Sequence, residues 1–125
     1  MNNQDNNNLE SKIYKLSFDL SQSLSENEIN KLLGVLASDG VYAMWVYAMD
    51  KFNNKKNKIE VLIEELNEFV NVEMPNNLKG NQHSNTRYNQ YFKKLAEDLN
   101  KLLFMKELLE KVLVYAIYHR RAMGA

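Results

Sequence analysis

From residue 9 onward the apolar positions recur at steps of three and four. Leu9, Ile13, Leu16 and Leu20 therefore lie on one face of a helix. The stretch SENE follows, in which Ser25 and Glu28 have the spacing of a capping box, so a second helix is predicted over residues 26–39. Its stripe is Ile29, Leu32, Leu33 and Leu36, and Gly40 supplies the stop. Residues 41–52 predict a third helix that is apolar nearly all round, which places it at the centre of the molecule or in an interface. A fourth, over residues 58–72, carries Ile59, Leu62, Ile63, Leu66, Phe69 and Val70 on one side and Glu60, Glu64 and Glu68 on the other. Carboxylates four residues apart repel one another, so this helix depends on its packed stripe. Pro75 and Gly80 then bracket a polar loop, predicted over residues 73–85.

Between residues 86 and 123 there is neither Gly nor Pro. Tyr88, Leu95, Leu102, Leu109 and Ala116 fall seven apart, and Phe92, Leu99 and Leu113 make a second seam. The i,i+4 pairs Glu97–Lys101 and Glu107–Lys111 have the favourable orientation. One unbroken helix here would be about 55 Å long, at 1.5 Å per residue. That is long for so small a domain, and a bend at residues 103–106 is the alternative. No segment alternates in the manner of a strand. The expected fold is all-α, a compact bundle of about five helices with a long C-terminal helix, and with Leu16, Leu33, Trp45, Leu62, Leu66, Leu99 and Leu109 in its core. The Asn-rich start has too little apolar content to pack, so residues 1–8 are expected to form a disordered tail and residues 9–125 a single helical domain.

Composition changes this picture in two ways. With no cysteine, the chain forms no disulfide, no thiolate metal site and no Cys nucleophile. The N-terminus lacks the basic and apolar regions of a signal peptide, and no apolar run reaches the roughly 20 residues that span a bilayer. A cytoplasmic protein without membrane contact is expected.

Catalytic groupings are scarce. His83 sits in the polar loop and is read as solvated. His119 has Tyr115 and Ala116 one turn before it, so no second ligand stands at helical spacing. There is no Gly-rich phosphate loop and no Glu-x-x-His pair for a di-iron bundle. No catalytic residue, metal ligand or cofactor is expected, and the chain is read as a non-enzyme.

Charge says more by its distribution than by its sum, since sixteen basic residues balance sixteen acidic ones. Lys51, Lys55, Lys56 and Lys58 crowd one junction. Lys79, Arg87, Lys93 and Lys94 interleave with Tyr88, Tyr91 and Phe92, and Arg120 and Arg121 stand near the C-terminus. Residues 60–73 hold five acids and no base. Clustered cations at helix ends are often only solvated and favoured by the helix dipole. Beside aromatics they also suit a phosphate backbone, which demands charge but no base-reading geometry. Tyr42, Trp45, Tyr47, Tyr115 and Tyr118 lie on helices rich in Val, Ala and Met, and are read as core or subunit interface rather than base platforms.

The layout resembles the small subunit of type III CRISPR effector complexes, of the Cmr type. Asp39-Gly40 matches the turn of that family, residues 41–49 its apolar helix, and residues 118–125 its closing tail, with Arg121 and Ala122 on the basic–Ala step. The Val-Tyr-Ala-Met text departs from the Leu-rich sequence more usual there, and the Asn-rich start has no counterpart. The resemblance implies a non-catalytic subunit that stacks with copies of itself and with other effector subunits. It would touch the backbones of guide RNA and target RNA through Lys55, Lys56, Lys58, Arg87, Lys93, Lys94, Arg120 and Arg121. The competing expectation is a helical protein–protein adaptor or regulator, antitoxin-like or a phage inhibitor, that binds no nucleic acid.

Overall fold

The computed structural model describes the backbone of residues 3–74 and 84–124, and the side chains of residues 8–74 and 87–124. Residues 3–8, expected in a disordered tail, have helical backbone, whereas most of the expected polar loop, with Lys79 and His83, falls outside the described residues. The described residues form six α-helices: α1 (Asn3–Ser23), α2 (Glu26–Asp39), α3 (Val41–Lys51), α4 (Lys56–Val70), α5 (Ser84–Ala96) and α6 (Leu99–Ala122). The molecule is an all-helical bundle, and α6 is its long C-terminal helix.

Local chemistry sets most of the boundaries. Ser25 caps α2: its Oγ accepts from the Glu28 N–H at 3.1 Å, and the Ser25 N–H donates to Glu28 Oε1 at 2.9 Å. Gly40 serves as the C-cap of α2 and the N-cap of α3, at φ 100°. An L side chain is strained in that region, so glycine is favoured where α2 and α3 meet on this one residue. Asn71 ends α4 in the left-handed region at φ 66°. The Asn67 side chain then closes the turn, accepting from the Val72 N–H and donating to the Val72 carbonyl.

The C-terminal run is neither one unbroken helix nor bent at the place the pattern offered. It divides at Glu97–Asp98 rather than at residues 103–106, so there is one helix more than expected. Glu97 and Asp98 donate back to the Lys94 and Leu95 carbonyls, tightening the last turn of α5. Asp98 then takes extended dihedrals and caps α6 by accepting from the Lys101 N–H at 3.2 Å. The break serves packing. Tyr88, Tyr91, Phe92 and Leu95 of α5 are buried, as are Met105, Leu108, Leu109, Val112, Leu113, Ala116 and Ile117 of α6. Leu99, just past the break, is 64% exposed, which overturns its expected place in the core. Lys101 does not pair with Glu97 across the break; its Nζ donates to the Asn71 carbonyl at 2.7 Å, at the end of α4.

One continuous core joins all six helices. Leu16, Trp45, Leu62, Leu66 and Leu109 are buried in it as expected, whereas Leu33 packs against it only in part. Trp45 lies at its aromatic centre, 4.5 Å from the Tyr88 ring and 5.3 Å from Phe92. Ser17 and Ser21 are also fully buried, on the inward side of α1. Their hydroxyls donate to the Tyr14 and Phe18 carbonyls, so neither hydroxyl is left unpaired. Three glutamates of α4 find partners: Glu64 accepts from the Tyr88 hydroxyl, and Lys12 bridges Glu65 and Glu68. Those contacts offset the repulsion expected along that helix.

Candidate interaction surface

The eight cations expected to meet phosphate do not form one field. Lys55 is the N-cap residue of α4, and its Nζ sits 3.1 Å from Glu28 Oε1. Arg121 Nη2 and Nε both donate to Glu26 Oε2, at 2.8 and 3.1 Å. Two basic clusters distant in sequence thus converge on the first turn of α2, each held by one of its acids. The Glu28 carboxyl is kept below the usual carboxylate range chiefly by the Ser25 N–H, with Lys55 adding to it against the cost of burial. The Arg121 guanidinium holds Glu26 low in the same way.

Arg120 donates from Nη1 to the Ser21 carbonyl at 3.1 Å, a cation at the C-terminal end of α1 where free carbonyls and the helix dipole both favour it. On α5, Lys94 pairs with Glu73 at 2.8 Å. Arg87 lies 3.7 Å from Glu64, and its guanidinium stands over the Tyr88 ring. A carboxylate beside a cation cancels the field a phosphate would feel. Of the eight, Lys56, Lys58 and Lys93 are exposed without an ion pair among the described residues.

The aromatics divide as sharply. Trp45 is core, and Tyr47 packs against it in part. Tyr42 is exposed, its hydroxyl donating to Asn89 Oδ1 at 3.0 Å. Tyr115 and Tyr118 are 41% and 59% exposed on α6, beside Tyr14 and Phe18 at 61% and 41% on α1. Their rings are ordered against one another. Tyr14 and Phe18 lie parallel within 1° at 6.5 Å, both edge-on to His119 at 5.1 and 5.6 Å, and Tyr115 stacks on Tyr118 at 6.3 Å. A cleft lined by Glu10, Ser11, Ile13, Tyr14, Lys111 and Tyr115 continues the same face.

Neither Tyr14 nor Phe18 was singled out by the sequence pattern, because the stripe that identifies α1 is the opposite, buried one. The signal was present: two aromatics four residues apart, both off the apolar register. His119, read as lacking a second metal ligand at helical spacing, meets the rings of both Tyr14 and Phe18 edge-on.

Among the described residues no group of three or more His, Cys, Asp or Glu could hold a metal ion, and no helix is long and apolar enough to cross a membrane. No family model, no curated protein and no solved structure matches this chain.

Proposed function

We propose that this chain is a non-catalytic helical binding protein that works by docking another protein surface on the aromatic face of α1 and α6. The observation that carries the reading is that face itself: Tyr14 and Phe18 stand in solvent edge-on to His119, and the stacked pair Tyr115 and Tyr118 stands beside them, Tyr115 sharing a cleft with Tyr14. Large rings held in fixed mutual geometry cost little entropy to dock, and Tyr is a frequent anchor of protein interfaces. The bundle already has a full core without them, so their exposure is not a consequence of poor packing. Absence of cysteine goes with a cytoplasmic setting for this role.

The second reading is the one the family resemblance implies, a small subunit of a type III CRISPR effector contacting guide and target RNA backbones. Lys56, Lys58 and Lys93 support it, since each offers an exposed charge without an ion pair to a carboxylate among the described residues. The pairing of Lys55, Arg87, Lys94 and Arg121 with carboxylates, and of Arg120 with a carbonyl, weighs towards the docking role.

A photo-reactive side chain placed at Tyr118 and, separately, at Lys56, in the cells that make the protein, tests the two against each other. The docking role predicts a protein adduct from position 118 and no RNA adduct from position 56. RNA captured at position 56 with nothing protein at 118 would transfer the assignment to the RNA-bound subunit.

A further inference from the structure

We propose that Tyr88 is a redox-active side chain: an outer-sphere one-electron oxidant that takes an electron from Trp45 leaves the oxidising equivalent on Tyr88, whose proton passes to Glu64. The proposal stands apart from the docking role, since its three groups belong to α3, α4 and α5.

Ring contact provides the path. Trp45 is the single tryptophan of the chain and is buried, and its ring lies 4.5 Å from that of Tyr88 at an interplanar angle of 34°. Rings at that separation are in direct contact, so an electron passes between them with no intervening group. With no cysteine in the chain, no thiol competes to refill an oxidised indole.

The proton decides which neighbour responds. An oxidised phenol is a strong acid and loses its proton as the electron leaves. Tyr88 already donates its hydroxyl to Glu64, a carboxylate able to accept that proton. Burial pushes the Tyr88 hydroxyl well above its ordinary range, and the hydrogen bond to Glu64 raises it further, so the phenol stays neutral until it is oxidised. Tyr91 is also buried, but it donates at 2.6 Å to the amide oxygen of Asn67, which takes no proton. Phe92, which meets Trp45 as well, has no hydroxyl.

The step balances and removes charge from the core. Before it, the indole is a radical cation and Glu64 carries one negative charge. After it, the indole is restored, Tyr88 is a neutral phenoxyl radical and Glu64 is a neutral acid. A positive charge on a buried indole lacks hydration, so clearing it from the aromatic centre is favoured. The Glu64 side chain is 42% exposed with Arg87 at 3.7 Å, so the acid then gives its proton to water and the ion pair re-forms. The radical stays on buried Tyr88 until a reductant supplies an electron and a proton returns.

Laser-flash photolysis of the full chain tests this, with helical circular dichroism as the check that each variant is folded. Light absorbed by indole but not by phenol ejects an electron from Trp45, and hexaamminecobalt(III) in solution captures it. In wild type the tryptophan-radical absorption should decay as a phenoxyl absorption rises, at a rate independent of protein concentration. Tyr88→Phe keeps a ring against Trp45 and should abolish the rise. Glu64→Gln keeps a hydrogen-bond acceptor but no base, and should slow the rise by about a hundredfold. Tyr42→Phe and Tyr91→Phe should leave it unchanged. A tryptophan radical that decays only through encounters between molecules would overturn the proposal. So would a phenoxyl rise that survives Tyr88→Phe, or one as fast in Glu64→Gln as in wild type.

Discussion

Leu66 and Leu99 carry the same side chain to opposite fates. Leu66 has no exposed surface and lies in the middle of the α4 stripe, so Leu66→Ala removes methylenes from a site that cannot fully close. Its cost in chemical denaturation should be about 2–5 kcal/mol. Measured stability within a few tenths of wild type would contradict the packing of α4. The sequence pattern identifies Leu66 correctly because apolar residues at 59, 62, 63, 66 and 70 leave a single possible inner face. It misplaces Leu99 because a seven-residue repeat continues to count across a break in the helix. Ser17 and Ser21 escape it for another reason: a serine reads as polar, and only its hydroxyl bond to the preceding turn makes burial tolerable.

At the scale of elements, caps were legible and tertiary partners were not. Ser25 with Glu28, and Gly40 at the α2–α3 junction, announce themselves by residue type and spacing, and both act as that chemistry requires. Asp98 is also a capping residue, but it stands among strong helix formers with no glycine or proline beside it. What ends α5 there is the need to turn its aromatics towards Trp45 while α6 follows α1. Asp98→Ala should therefore cost about 0.5–2 kcal/mol through loss of the cap. Leu99→Ala, at an exposed position, should fall within about 0.5 kcal/mol of wild type. Urea titration of both variants checks the pair, and a larger loss from Leu99→Ala would restore the continuous helix. The basic clusters show the same limit. Glu26 and Glu28 neutralise Arg121 and Lys55 across wide gaps in sequence, and nothing in the local text of either cluster reveals it.

Considered whole, the molecule pairs Lys55, Arg87, Lys94 and Arg121 with its own carboxylates and turns an ordered set of rings to solvent. Fold class was readable because helical periodicity runs through almost the entire chain; the face was not, because exposure depends on which helices become neighbours. Tyr42 provides an internal standard for it, being 48% exposed on α3 apart from the α1–α6 face, against 61% for Tyr14 and 59% for Tyr118. Oxidative footprinting of tyrosine in the cells that make the protein, set beside dilute purified chain, tests the docking role most directly. In dilute solution Tyr14 and Tyr118 should react at least as fast as Tyr42. In the cell both should become several-fold slower than Tyr42, as side chains covered by a partner do. Tyr14 and Tyr118 reacting as fast as Tyr42 in both settings would contradict the account, since the face would then be bare where the protein works.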